Sequence, residues 1–109
     1  MVLFSLRSYA LVDPCLKLDG YNRTASLGGK SITLRLTPFK ILEFFALNSG
    51  RVVSRQSIFS TIWGFDFDPG TKRLEVHIHY LRKNLLVFGG AVIIVTRRGS
   101  GLCLLSTTR

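Results

Sequence analysis

A chain of 109 residues holds one core of ordinary size, because a domain typically takes about 100–150 residues, and it is too short for a large enzyme. Its hydrophobic fraction of 47% excludes the disordered class, and its apolar runs fall short of the roughly 20 residues that a bilayer span needs. Fifteen Lys and Arg against six Asp and Glu leave a net charge of +9, which draws the molecule to polyanions such as nucleic acid or an anionic membrane surface.

Residues 1–14 end at Asp13-Pro14 without a clear period and read as a lead-in or a first strand; residues 15–109 read as the domain proper. Met1 to Arg7 has no basic stretch ahead of its apolar residues, so no signal peptide is expected. Cys15 to Leu18, Arg23 to Leu27 and Ser31 to Leu36 are short runs cut by Asp19-Gly20 and Gly28-Gly29. The last alternates Ile32, Leu34 and Leu36 against Ser31, Thr33 and Arg35, as strands of a small antiparallel sheet do. From Pro38 the period changes: Ile41, Leu42, Phe44, Phe45 and Leu47 recur at three and four residues, and Asn48-Ser49-Gly50 stops the run.

Ser54 is a good N-cap for a second helix, which carries Ile58, Phe59, Ile62 and Trp63 inward and ends at Gly64. Gly64 to Gly70 is a loop. Thr71 caps a third helix over residues 72–86 with a Leu74, Ile78, Leu81, Leu85 stripe. After Gly89-Gly90, Val92 to Thr96 and Leu102 to Leu105 flank a Gly-rich turn and predict a β-hairpin. Cys15 and Cys103 are far apart and each adjoins leucine, which fits reduced, buried thiols of a cytoplasmic protein, a disulfide being the alternative. Two cysteines make no four-ligand zinc site, and no metal or other cofactor is expected.

From Pro69 to Arg109 there are seven basic residues and one acidic, so two thirds of the net charge lies in the last 41 residues. Lys72, Val76, His79, Tyr80 and Lys83 fall within about 50° of the pole opposite the leucine stripe, at 100° per residue. Arg97 and Arg98 add charge on the hairpin turn. A helix presenting basic, polar and small apolar groups suits the major groove. An arginine pair on a narrow turn suits the minor groove, where the potential is most negative.

The runs Gly50-Arg51-Val52-Val53-Ser54-Arg55, Ile62 to Leu85 and Thr96-Arg97-Arg98-Gly99-Ser100-Gly101 resemble the effector domain of OmpR/PhoB-type response regulators over about residues 15–105. The resemblance implies an α+β winged helix-turn-helix: an N-terminal four-stranded antiparallel sheet, three helices and a C-terminal β-hairpin wing. It implies sequence-specific binding of double-stranded DNA by a two-component transcription regulator, with residues 72–86 in the major groove and the wing, residues 96–101, in the minor groove. Lys72, Val76, Tyr80 and Lys83 match major-groove positions; Arg73, His77, His79 and Arg82 match phosphate contacts; Thr96, Arg97, Arg98 and Gly99 match the wing. Phe65, Asp66, Phe67 and Asp68 match a loop that can touch RNA polymerase, and tandem binding as a homodimer on direct repeats is implied as well.

Several positions depart from the family. No phospho-accepting receiver precedes the domain in this sequence, which implies either a fragment or a regulator not controlled by phosphorylation in cis. The Leu-Thr-Pro start of the first helix lacks the following Glu: either two residues are deleted at Leu36-Thr37-Pro38-Phe39, or Pro38 stands at the Glu position. Either way a capping carboxylate is missing, which predicts a frayed start costing about 0.5–2 kcal/mol. Tyr80 stands where many members carry Arg, and Leu102 replaces a wing tyrosine.

Catalysis finds no support. His77 and His79, two apart on a helix, face different directions, and no nucleophile triad, phosphate-binding loop or apolar carboxylate pair is present. Non-specific binding of RNA or nucleoid polyanions is the alternative function. It is disfavoured because Phe39, Phe44, Phe45 and Phe59 follow helical core spacing rather than lining a sheet surface. Membrane binding is not expected, since helix 3 keeps its leucines inward.

Overall fold

The computed structural model describes residues 8–12 and 16–106; Cys15, Arg109 and the reading of residues 1–7 lie outside them. Four short strands, β1 (Ser8–Val12), β2 (Leu16–Asp19), β3 (Thr24–Leu27) and β4 (Lys30–Thr33), pair antiparallel in the order β1-β2-β3-β4. Asp19 shapes the β2–β3 turn, its Oδ1 accepting the Tyr21 and Asn22 N–H groups at 3.0 and 3.3 Å. The face formed by Leu16, Leu18, Ala25 and Ile32 is buried, as a half-covered sheet with period two requires.

Helix α1 (Leu36–Leu47) starts two residues earlier than its apolar period predicts. Leu36 is therefore not the last inward residue of a strand; it lies 55% exposed in the first helical turn. Phe39 N–H to Arg35 C=O, at 3.0 Å, is the first bond of the ladder. Pro38 takes the third helical position, where an N–H has no intrahelical partner, so a proline removes an orphan donor at no cost in hydrogen bonds. No side chain caps this end and no acidic residue stands in the first turn. Leu47, counted in the apolar period, is 56% exposed.

Helix α2 (Arg55–Trp63) has Ser54 as its cap, the hydroxyl accepting the Ser57 N–H at 3.0 Å, and it ends on Gly64 in the left-handed conformation. Helix α3 (Arg73–Leu85) buries Leu74, Ile78, Leu81 and Leu85 and continues through a 3-10 turn over Leu86–Phe88 to Gly89. Its cap position is Lys72 rather than Thr71, which instead accepts the Arg73 N–H at 3.3 Å.

Strands β5 (Val92–Arg97) and β6 (Gly101–Ser106) form the wing. Val53, in the link between α1 and α2, adds a one-residue third strand: its N–H reaches Leu102 C=O at 2.7 Å, and Leu102 N–H returns to Val53 C=O at 2.9 Å. One core joins all layers, from Leu18 and Leu34 through Phe45, Phe59 and Leu81 to Leu104. Cys103 is buried in β6. Among the described residues no helix is long and apolar enough to cross a membrane, and no group of three or more His, Cys, Asp or Glu could hold a metal ion.

Candidate nucleic-acid interface

The leucine stripe of α3 faces inward, which turns the opposite side of the helix to solvent. Lys72, Val76, His79 and Lys83 are exposed there, Val76 by 64%. The carboxylate within the helix, Glu75, is held to one side by Arg55 from the start of α2. Arg55 also bonds Asp68 through Nε at 2.7 Å and reaches Thr71 C=O at 3.3 Å. Its guanidinium and the Gly70 N–H hold the Asp68 carboxyl below the ordinary carboxylate value. One cation thus gathers two carboxylates and pins the start of α3 to α2.

Tyr80 departs from its helical-wheel position. It is half-buried against the core rather than pointing outward. Its hydroxyl accepts the Arg35 backbone N–H at 3.1 Å, and the Arg35 guanidinium lies 4.9 Å from the ring centroid. On the same flank His77 is half-buried and stacks on Trp63 at 5.8 Å between centroids. Arg73 lies 5.6 Å from the Trp63 ring and 5.7 Å from that of Phe65. Burial first, then the charges of Arg35 and Arg73, lower the His77 pKa.

On the other flank Arg82 reaches across to the wing, Nε donating to Ile94 C=O at 3.0 Å and Nη2 to the Thr96 hydroxyl at 3.0 Å. The structure therefore brings Arg82 and Thr96 to each other. Arg97, Arg98 and Gly99 are exposed at the turn, where Gly99 takes φ +79° and Ser100 N–H closes on Arg97 C=O at 2.9 Å. A groove of about 560 Å³ runs between α3 and the wing, edged by Glu75, His79, Arg82, Thr96 and Arg97.

The loop between α2 and α3 is built on stacked rings. Phe65 sits 6.2 Å from Phe59 on one side and 6.2 Å from Phe67 on the other. Phe67 is 63% exposed. The Asp66 side is tied down by Gln56 Nε2 donating to its carbonyl at 2.6 Å. Of the loop's four residues singled out in the sequence, Asp68 is committed to Arg55, while Asp66 and Phe67 face solvent.

Arg35 and Arg55 were not marked by the sequence. Arg35 lies on the polar side of an apparent strand, and Arg55 is one residue of a longer run, so only their distant partners distinguish them.

Residues 29–104 match the family model described as the C-terminal part of transcriptional regulatory proteins. The response regulator MprA of Mycobacterium sp. (strain KMS) is 39% identical over 92 residues, which are 84% of this chain and 40% of that protein. MprA of Mycobacterium ulcerans is 37% identical over 100 residues, 92% of this chain and 43% of the relative. The chain thus spans less than half the length of these relatives. Among solved structures, the DNA-binding domain of CpxR from E. coli superimposes with a TM-score of 0.74 at 28% identity, covering 94% of this chain and 99% of that one. The DNA-binding domain of RstA from Klebsiella pneumoniae, solved with the RstA box, gives 0.74 at 26% identity, with 91% and 97% covered. With the four-stranded sheet, the three helices and the wing in the same order, the chain belongs to the OmpR/PhoB-type family of transcriptional regulatory C-terminal domains.

Proposed function

We propose that this domain binds double-stranded DNA sequence-specifically, as the output part of a response-regulator type of transcription regulator. Helix α3 enters the major groove, α2 supports it, and the wing grips the neighbouring minor groove. The observation that carries the reading is the exposed row of Lys72, Val76, His79 and Lys83 beside exposed Arg97 and Arg98, while Glu75 and Asp68 are gathered by Arg55. The RstA domain solved with the RstA box lends support through its shared fold. Lys72 and Lys83 contact the groove, Val76 offers a methyl surface to thymine, and Arg98 enters the minor groove.

Titrating duplex DNA, single-stranded RNA and anionic vesicles at two salt levels tests it. Preference for one duplex sequence over scrambled duplex, RNA and vesicles is the expected result; equal binding of all polyanions would replace this reading with non-specific binding. Selection from a random DNA pool then shows one short motif or, for a tandem pair of domains, two direct repeats. A second surface is supported by exposed Phe67 on its stacked rings beside Asp66. That loop is offered to RNA polymerase, and Phe67→Ala would lower transcription without altering DNA affinity.

A further inference from the structure

We propose that Arg35 is a further DNA-binding residue, a phosphate contact held on the flank of α3 by the ring of Tyr80. The inference rests on the DNA-binding reading above and adds to it a residue from outside the helix, the wing and the loop.

Arg35 lies between β4 and α1, in extended conformation at the cap position of α1, yet its side chain takes no part in capping that helix. Two contacts fix it instead to α3: its backbone N–H to the Tyr80 hydroxyl and its guanidinium over the Tyr80 ring. The residue is exposed, and among the described residues no carboxylate pairs with it. A ring orients a guanidinium without neutralising it, so the full charge stays available to an outside anion. Arg55 shows the contrast, because its charge is spent on Asp68 and Glu75.

Position on the helix decides which part of DNA it meets. A helix with its side chains is about 10–12 Å across and fills a major groove about 12 Å wide. The outer pole of α3 therefore meets base edges, and its flanks meet the phosphate walls. Arg35, carried by Tyr80, stands on the flank that also presents His77 and Arg73, and both arginines act electrostatically on His77. The planar guanidinium suits two oxygens of a phosphate. In this way Tyr80 is a positioning residue, and the cation it positions comes from 45 residues earlier in the chain.

The test compares the parent, Arg35→Ala, Arg35→Lys, Tyr80→Leu and the Arg35→Ala/Tyr80→Leu double variant on a pool-selected duplex and a scrambled duplex of equal length. Affinity is read between 50 and 200 mM salt, with melting temperatures to verify folding. Loss of one phosphate contact lowers the slope of log affinity against log salt by about 0.9. The affinity deficit of Arg35→Ala should therefore shrink about three- to fourfold across that range, with the preference for selected over scrambled duplex kept. Arg35→Lys should recover the slope, Tyr80→Leu should lower it like Arg35→Ala, and the double variant should lower it no further. A parental slope for Arg35→Ala, an equal loss at every salt level, or a parental slope for Tyr80→Leu overturns the proposal. Lys83→Ala and Arg98→Ala run in parallel separate the two failures: if they weaken binding while Arg35→Ala does not, only this inference falls, and if they too bind like the parent, the docking of α3 and the wing falls first.

Discussion

Gly101 shows how much a single position can hold. The Val53 carbonyl oxygen lies 2.0 Å from where a Cβ would stand, and φ is +146°. Gly99, on the wing turn, has φ +79° but open space around it. Gly99→Ala should therefore cost only left-handed backbone strain, about 1–2 kcal/mol. Gly101→Ala adds a backbone collision and the loss of the two Val53–Leu102 hydrogen bonds, each contributing about 0.5–1.5 kcal/mol, and should cost at least about 1 kcal/mol more than Gly99→Ala. Denaturant midpoints decide it; equal costs would show that the link strand yields freely. At His77 the sign follows from burial and two neighbouring guanidinium groups, which lower the native pKa. The unfolded chain then binds more protons than the native one, so stability should fall as pH drops from about 6.5, the ordinary histidine value, towards the native pKa. His77→Gln should flatten that part of the profile. An unchanged profile would mean that Trp63 and the arginines do not hold the imidazole as seen.

Helix ends separate what is local in the chain from what is not. Ser54 was legible as a cap because its geometry depends only on the next three residues, and its hydroxyl accepts the Ser57 N–H at 3.0 Å. Thr71 looked equivalent, but the Arg55 contact to its carbonyl helps set the chain there, and its hydroxyl makes only a 3.3 Å bond with the Arg73 N–H. Ser54→Ala should cost about 0.5–2 kcal/mol and Thr71→Ala distinctly less in thermal melts; the reverse order would mean that the α3 cap carries more than its geometry indicates. The start of α1 is hidden in the sequence because Leu34 and Leu36 continue a strand alternation, although the helix already begins at Leu36 with Pro38 in its first turn. The stripe of α3, four residues all buried, was fully legible since it depends on one helix alone. Tyr80 was not, because a helical wheel knows nothing of Arg35, 45 residues earlier. The one-residue strand at Val53 has no periodicity to read.

Across the whole molecule the charge excess resolves into free and committed cations. Seven basic residues against one acidic one from Pro69 onward point to a polyanion, yet Arg82 is committed to Ile94 and Thr96 of the wing and works as a strut between α3 and β5. Lys83 and Arg98 are exposed. If the domain docks as proposed, Lys83→Ala weakens binding to every duplex, and Arg98→Ala weakens it most where the flanks are rich in A·T and the minor groove is narrow. Arg82→Ala should act on that same flank preference, because a wing without its strut no longer delivers Arg98 at a fixed distance from α3. A double-mutant cycle measures this: for A·T-rich flanks, the loss in the Arg82→Ala/Arg98→Ala variant should fall short of the sum of the single losses by more than about 0.5 kcal/mol. On G·C-rich flanks, where Arg98 contributes little, the two should add. Additivity on both flanks would show that Arg82 meets the DNA itself, as the family resemblance implies, and that its bonds to the wing are exchanged for a phosphate when the duplex arrives.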